Sequence, residues 1–339
     1  MRFPLSLTRS LAGYLLRKKL RGEKRFPLVL MLEPLHACNL TCAGCGRIRE
    51  YRDTIGSRLS VRQCLDAIDE CGAPIVSICG GEPLIYSELE ELVGRTLAAG
   101  KHVYLCTNGL LLAGKLHGLP PSDRLMINVH VDGMEATHDL IVGREGVFAA
   151  AIEGIRAAKA AGFRVCTNTT VYRQTDMHEI VVLLEYLTEL DVDGFIISPA
   201  YGYQAVEPCG AAPADSIFMT RDEVHEKFRS VRGQLERMKL NASPIYLDFL
   251  CGQRDLPCAA WANPTYNTCG WRGPCYLVAD THHATYRELI EATDWDAYGP
   301  EADPRCRDCL VHCGFEPAAV LATDKSLRDM FRMAVWQMT

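Results

Sequence analysis

Three cysteines fall within eight residues, at Cys38, Cys42 and Cys45, directly after the apolar run Leu28–Leu32. This CxxxCxxC spacing constrains fold and chemistry together. Three thiolates so close wrap one metal centre, and Cys thiolate is the usual ligand of iron–sulfur clusters. No fourth cysteine is adjacent, so a cubane held this way keeps one iron open to an outside ligand, as a catalytic zinc keeps an open position. Gly44 and Gly46 let the backbone curl round the centre. Zinc is the alternative, but structural zinc sites prefer paired CxxC ligands.

Composition decides how the remaining cysteines are read. The chain has 339 residues, 48% hydrophobic and 23% charged, which excludes disorder. No apolar run approaches the ~20 residues needed to cross a bilayer. No secretory signal follows the basic start. The expected location is therefore the cytoplasm, where clusters among sixteen cysteines mean metal binding or catalysis rather than disulfides.

Charge is uneven. Residues 1–25 hold eight Arg or Lys and one acid, leaving 28 basic and 41 acidic residues elsewhere, a net of −13. A basic arm on an acidic body argues against nucleic acid as a partner. Residues 9–21 read as a short helix with Leu11, Leu15, Leu16 and Leu20 along one side and Arg17, Lys18, Lys19 and Arg21 around them. Such a helix fits the headgroup region of an anionic membrane, or packs on its own domain.

From residue 27 onward strands and helices alternate. Apolar, β-branched runs predict strands at Leu28–Leu32, Pro74–Cys79, His102–Cys106, Met126–Val131, Arg164–Val171 and Gly194–Ser198. Helical patterns lie near 60–72, 86–100, 145–162 and 177–190, with Thr175 or Asp176 capping the last, and Gly100 and Gly162 ending two of them. Repeated strand–helix units imply a parallel sheet with right-handed crossovers. The predicted fold is α/β, a partial TIM-type (β/α)6 barrel with a cysteine-rich C-terminal accessory region. Its divisions are a basic arm at 1–25, a core barrel at 26–205 and an accessory region at 206–339. Residues 201–218 read as a linker, and a polar helix is expected over 220–240. The remainder, 245–339, shows no clear strand–helix repeat.

Ligands of parallel α/β folds bind beyond the C-terminal strand ends. The second strand ends in Cys79-Gly80-Gly81-Glu82-Pro83, two glycines for close approach and a carboxylate suited to an ammonium. Later strands end in Cys106-Thr107-Asn108-Gly109, His130-Val131-Asp132-Gly133, Asn168-Thr169-Thr170 and Ser198-Pro199-Ala200.

A cysteine loop after the first strand and Gly-Gly-Glu-Pro after the second resemble the radical S-adenosylmethionine (SAM) superfamily. The resemblance implies a [4Fe–4S] cluster on Cys38, Cys42 and Cys45, and SAM chelated to the open iron. It places the SAM amino group at Gly80, Gly81, Glu82 and Pro83, with further cofactor contacts at Asn108, Asn168 and Ser198. Many members carry an aromatic residue just before the third cysteine, where this chain has Gly44.

Further segments resemble the adenosyl-hopene transferases of hopanoid biosynthesis: KRFPLVLML at Lys24–Leu32, ECGAPIVSICGGEP at Glu70–Pro83, VYLCTN at Val103–Asn108, LDFL at Leu247–Leu250, GWRGPCYL at Gly270–Leu277, TDWDAYG at Thr293–Gly299 and CRDCLVHCGFE at Cys306–Glu316. Gly109 and Cys269 depart from that pattern. The resemblance implies addition of a 5′-deoxyadenosyl radical to the alkene of a hopene (diploptene), with a one-electron donor such as flavodoxin or ferredoxin as partner. Trp261, Tyr266, Trp271, Tyr276, Phe249 and Phe315 are candidates to line an apolar pocket, or form an ordinary core. Cys106, at the end of the third strand, is the candidate hydrogen donor to the product radical. A hydrogen-abstracting enzyme acting on a peptide or other small molecule is the alternative.

The C-terminal half holds Cys306, Cys309 and Cys313 as CxxCxxxC, with Cys275 upstream. These four suit a second iron–sulfur cluster or a zinc ion; a single metal on His312 is a third option, and Cys251 and Cys258 are spare ligands.

Overall fold

The computed structural model describes residues 2–202, 206, 216–323 and 326–338. Most of the expected linker at 201–218 lies outside them.

Six parallel strands appear within a residue or two of the predicted runs: β1 (Val29–Leu32), β2 (Ile75–Ile78), β3 (His102–Thr107), β4 (Leu125–His130), β5 (Arg164–Val171) and β6 (Gly194–Pro199). Each pairs in register with the next, for example Val76 with Val103 and Ile127 with Val165. Their apolar residues are buried on both faces, as expected of a sheet covered by helices.

Helix α1 (Leu5–Leu20) begins earlier than the apolar stripe suggested. It is a docked element: Leu7 and Tyr14 are buried, and the Tyr14 hydroxyl donates to the Pro27 carbonyl at 2.7 Å. Pro4 and Leu7 share a small cavity with His102, Leu125 and Arg164, the first residues of three strands, so α1 floors the barrel.

The outer helices follow their sequence signals. In α2 (Val61–Cys71) Val61, Cys64, Ala67, Ile68 and Cys71 face the core, Ser60 and Gln63 close a capping box, and Gly72 ends the helix with φ 68°. α3 (Leu89–Ala98) starts three residues late, after a tight turn at Pro83–Ile85. An unpredicted helix, α4 (Glu135–Val142), precedes α5 (Val147–Ala160); no side chain caps its N-terminus, so its start left no sequence signal. Asp176 caps α6 (Met177–Glu189). The expected 220–240 helix stops early, as α7 (Arg221–Ser230), and only a short turn follows.

The C-terminal region departs most from expectation. β7 (Thr265–Asn267) adds parallel to β1, and β8 (Gly270–Pro274) and β9 (Ala279–His283) continue as an antiparallel meander. One nine-stranded sheet results, ordered β6-β5-β4-β3-β2-β1-β7-β8-β9. Its helices are α8 (Pro244–Leu250), α9 (Tyr286–Ala292), α10 (His312–Ala322) and α11 (Leu327–Met338). Among the described residues no helix is long and apolar enough to cross a membrane.

Candidate active site at the mouth of the barrel

The cysteine loop follows β1 at the C-terminal edge of the sheet. Cys38, Cys42 and Cys45 are each half-buried. Burial pushes the Cys38 thiol up to about 11 and the Cys42 thiol up to about 12, and charge on the neighbouring cysteines adds to both. Thiols that burden one another in this way suit a cationic centre that would offset their charge. Cys38, Cys42 and Cys45 are the residues that would hold a cluster.

The Gly-Gly-Glu-Pro turn packs on that loop. Gly81 donates to the Leu35 carbonyl at 3.0 Å and Glu82 to the Ala37 carbonyl at 2.9 Å. A Cβ at Gly81 would collide with the Ala37 backbone, so the glycine serves the fit of turn to loop. Glu82, the expected carboxylate of this turn, is held by neighbouring donors. It is 1% exposed, and its oxygens accept from the Thr107 hydroxyl (2.8 Å), the Asn108 amide (2.8 Å) and the Leu84 amide (2.9 Å). Burial raises its pKa while these donors oppose the rise. In the fold Glu82 braces the β2 turn to the end of β3, and Oε2, with a single donor, keeps an acceptor position. Pro83 opens the tight turn behind it.

Asn108 reaches the loop directly, donating to Asn39 Oδ1 at 2.8 Å and lying 4.0 Å from Cys38 Sγ. Asn168 lies 3.5 Å from His130 Nδ1. His130 Nε2 sits 2.7 Å from Asp132 Oδ2. Burial presses the imidazole pKa down, but Asp132 outweighs it and the net shift is upward. This His–Asp pair stands at the mouth, where the sequence showed only a polar strand end. The Ser198 hydroxyl accepts the His312 amide at the start of α10 at 3.1 Å.

Cys106 faces the barrel interior. Its Sγ lies 3.4 Å from Ser77 Oγ and 3.5 Å from Asn128 Nδ2, whose Oδ1 accepts from Cys166 at 3.3 Å. Burial raises the Cys106 pKa while Ser77 and Asn128 oppose it. It therefore stays a protonated thiol near neutral pH.

Gly44 has a partner that sequence alone did not show. A Cβ there would lie 2.6 Å from Tyr172 Cε1 and 2.8 Å from Cζ. Tyr172, just beyond β5, thus brings an aromatic ring against the loop at Gly44.

A buried charge network behind the loop joins it to the C-terminal half. Arg47 pairs with Glu33 at 2.8 Å and Glu50 at 3.0 Å, donates to the Tyr276 carbonyl at 2.7 Å and stacks 3.9 Å above the Tyr276 ring. Burial alone would raise the Glu33 carboxyl, but Arg47 and His36 pull it down to about 2. Arg272 pairs with Glu50 at 2.6 Å and donates to the carbonyls of Cys275 and Leu277.

Past that network lie the C-terminal cysteines; among the described residues no three Cys, His, Asp or Glu side chains stand close enough together to hold a metal ion. Burial is the first cause raising the thiols of Cys275, Cys306, Cys309 and Cys313. Charge on Cys258, Cys313 and Cys275 adds to the rise at Cys309, and charge on Cys275 to the rise at Cys306. Cys258 therefore joins the group; its Sγ rests 3.0 Å from where a Cβ on Gly314 would stand. Cys251 lies among Arg232, Asp248 and Arg229 instead. Burial lowers the His312 pKa to about 4, and its ring meets Tyr246 edge-on at 5.4 Å.

The expected aromatic pocket is mostly core. Phe249 stacks on Phe315 at 4.5 Å, Trp271 is sealed and donates to Glu70, Tyr266 packs on Trp271, and Trp261 packs on Phe26. Of the six, Tyr276 lies beside the cysteine loop through Arg47.

Residues 32–187 match the family described as the Radical SAM superfamily. This segment is a radical SAM domain. Residues 195–333 match a domain of unknown function, DUF3463. The radical SAM superfamily uses a [4Fe–4S] cluster and SAM, in accord with the cysteine loop. An AdoMet-dependent heme synthase of Methanosarcina barkeri is 30% identical over 168 residues, 48% of each chain. Mycofactocin maturase MftC of Mycobacterium ulcerans is 35% identical over 141 residues, 40% of this chain and 38% of that one. The chain thus spans half or less of these relatives' length. Streptococcus suis SuiB bound to its precursor peptide SuiA shares the fold at TM-score 0.62 and 13% identity, over 88% of this chain and 74% of that one.

Proposed function

We propose that the chain cleaves SAM reductively and adds the 5′-deoxyadenosyl radical to the terminal alkene of a hopene, giving adenosylhopane. The cluster, when bound, supplies the electron for cleavage. The chain's own residues hold the reactants and exclude water. Cys38, Cys42 and Cys45 would anchor the cluster, with Asn108 and Asn39 stiffening their loop. His130 and Asn168 suit the polar parts of SAM. The apolar cluster of Tyr172, Ala200 and Phe218, with Ile141 and Ile217 against it, adjoins Gly44 and suits the hydrocarbon.

The observation that carries this reading is the Cys106 thiol. Addition to an alkene leaves a carbon radical that must gain a hydrogen atom; a thiol that gives it becomes a thiyl radical, which one further electron from the one-electron donor and a proton would return to the thiol. Cys106 keeps its S–H, stands at the end of β3 and looks into the barrel. The sequence segments Gly270–Leu277, Thr293–Gly299 and Cys306–Glu316 support the same reading. Anaerobic incubation with SAM, a strong reductant and diploptene, followed by mass spectrometry of the lipid extract, tests it. Adenosylated lipid is the expected product; free 5′-deoxyadenosine formed in step with turnover, without adenosylated lipid, would reject it.

That rejecting result is what the second reading expects: hydrogen abstraction from a peptide or small molecule. Mycofactocin maturase and peptide-bound SuiB favour it by likeness.

The C-terminal thiols are proposed as a second metal site, built from Cys275, Cys306, Cys309 and Cys313 with Cys258 in reserve. Iron and sulfide analysis separates the choices: about eight irons means two cubanes, about four means one, and about four with zinc means a zinc site.

A further inference from the structure

Two neighbouring helices leave apolar stripes uncovered. On α11, Leu327 (85% exposed), Met330, Phe331 (70%), Val335 and Met338 share one face at helical spacing. The opposite face is docked by Asp329 on Arg254 and by Arg332 on Asp248. On α1, Leu5, Leu16 and Leu20 are likewise exposed. The helices are joined: Arg2 donates its amide to the Gln337 carbonyl at 3.1 Å, the Phe3 and Trp336 rings meet at 5.5 Å, and Gln337 Nε2 donates to Thr8 Oγ1 at 2.9 Å. Single exposed leucines are ordinary, but apolar stripes on two helices that touch mark an interaction surface.

Its charge names the partner. α1 contains no acidic residue, and Arg9, Arg17 and Arg21 are exposed along or just beyond it, with Arg328 at the start of α11. The rest of the chain, beyond residue 25, is acidic. We propose that the α1/α11 surface docks on an anionic lipid bilayer, its apolar stripes entering the headgroup boundary and its arginines meeting lipid phosphates. A second copy is the poorer occupant, because a twofold contact would set one basic helix against another. The surface includes the helix that floors the barrel, opposite the cysteine loop, so docking leaves the mouth uncovered. The inference stands apart from the choice of substrate.

Vesicle flotation of the full chain tests it without SAM or reductant. Co-flotation is expected with vesicles containing phosphatidylglycerol and not with phosphatidylcholine alone. Phe331→Glu, at an exposed position, should weaken partitioning roughly tenfold. Arg17→Ala should weaken it roughly fivefold at low salt and not at high salt. Circular dichroism checks that both variants fold. The proposal is overturned if the wild type fails to float with anionic vesicles, or if Phe331→Glu floats equally well. A Phe331-dependent dimer in sedimentation, with no vesicle binding, would also overturn it and assign the stripe to a second copy.

Discussion

Arg47 and Glu33 form an ion pair at 2.8 Å with both side chains sealed from solvent, two residues beyond the last cysteine of the loop. Removing one partner of such a pair strands a buried charge. Arg47→Met should therefore cost ~3–5 kcal/mol in chemical denaturation at neutral pH. The sign with pH follows from Glu33, whose pKa falls from 4.5 to about 2 in the fold. Its contribution is present above about pH 4.5 and is lost as pH falls through about 2. Without Arg47 that support disappears, and the variant should unfold at a higher pH than wild type in an acid titration.

Glu316 carries the opposite sign. Burial lifts its carboxyl from 4.5 to about 8, against donors from the Ser243 amide and hydroxyl. Its contribution to stability is full below about pH 4.5 and is lost as pH rises through about 8. Glu316→Gln cannot ionise. It should be more stable than wild type at about pH 8, by on the order of 2 kcal/mol, with the gain shrinking toward about pH 5. Thermal melts at the two pH values check this.

Glu82→Gln tests the brace at the mouth. A glutamine keeps one acceptor oxygen but turns an NH2 group toward a donor, at a cost of ~1–3 kcal/mol. The turn after β2 should loosen from β3, and SAM binding followed by calorimetry on reconstituted protein should weaken. Unchanged affinity together with unchanged stability would remove Glu82 from the site.

These residues also mark what could be read from the sequence. The six core strands were legible because their apolar runs are buried on both faces, and α6 because Asp176 caps it. β7–β9 were not: they are three to five residues long, and β9 is largely polar. At the site, position was legible and satisfaction was not. Glu82 and Ser198 stand at the expected strand ends, yet tertiary partners already occupy them. Tyr172 could not be paired with Gly44 from sequence because 127 intervening residues separate positions that meet only after the barrel closes.

Cys106→Ala separates radical formation from radical quenching. Cluster binding and SAM cleavage rest on other residues, so methionine release should persist. Adenosylated product should fall on the order of tenfold or more, about 1.4 kcal/mol or more of lost barrier reduction. Equal losses of cleavage and product would point to a packing defect in the Ser77–Cys106–Asn128 layer instead.

Gly44 and Tyr172 supply the last test. Any side chain at Gly44 meets the Tyr172 ring, with Cε1 only 2.6 Å from its Cβ position. Gly44→Ala should therefore push Tyr172 aside or distort the Cys42–Cys45 arc, and either lowers iron retention after reconstitution. The ring is also part of the small apolar cluster with Ala200 and Phe218, so its displacement should cost stability as well. Gly44→Tyr alone should be worse than Gly44→Ala. Combining Gly44→Tyr with Tyr172→Gly returns the aromatic to the loop and empties the space it needs. That double variant should recover iron content relative to Gly44→Tyr. If both variants lose iron equally, the steric coupling between the two positions is wrong, because relieving the clash would then have changed nothing at the thiols.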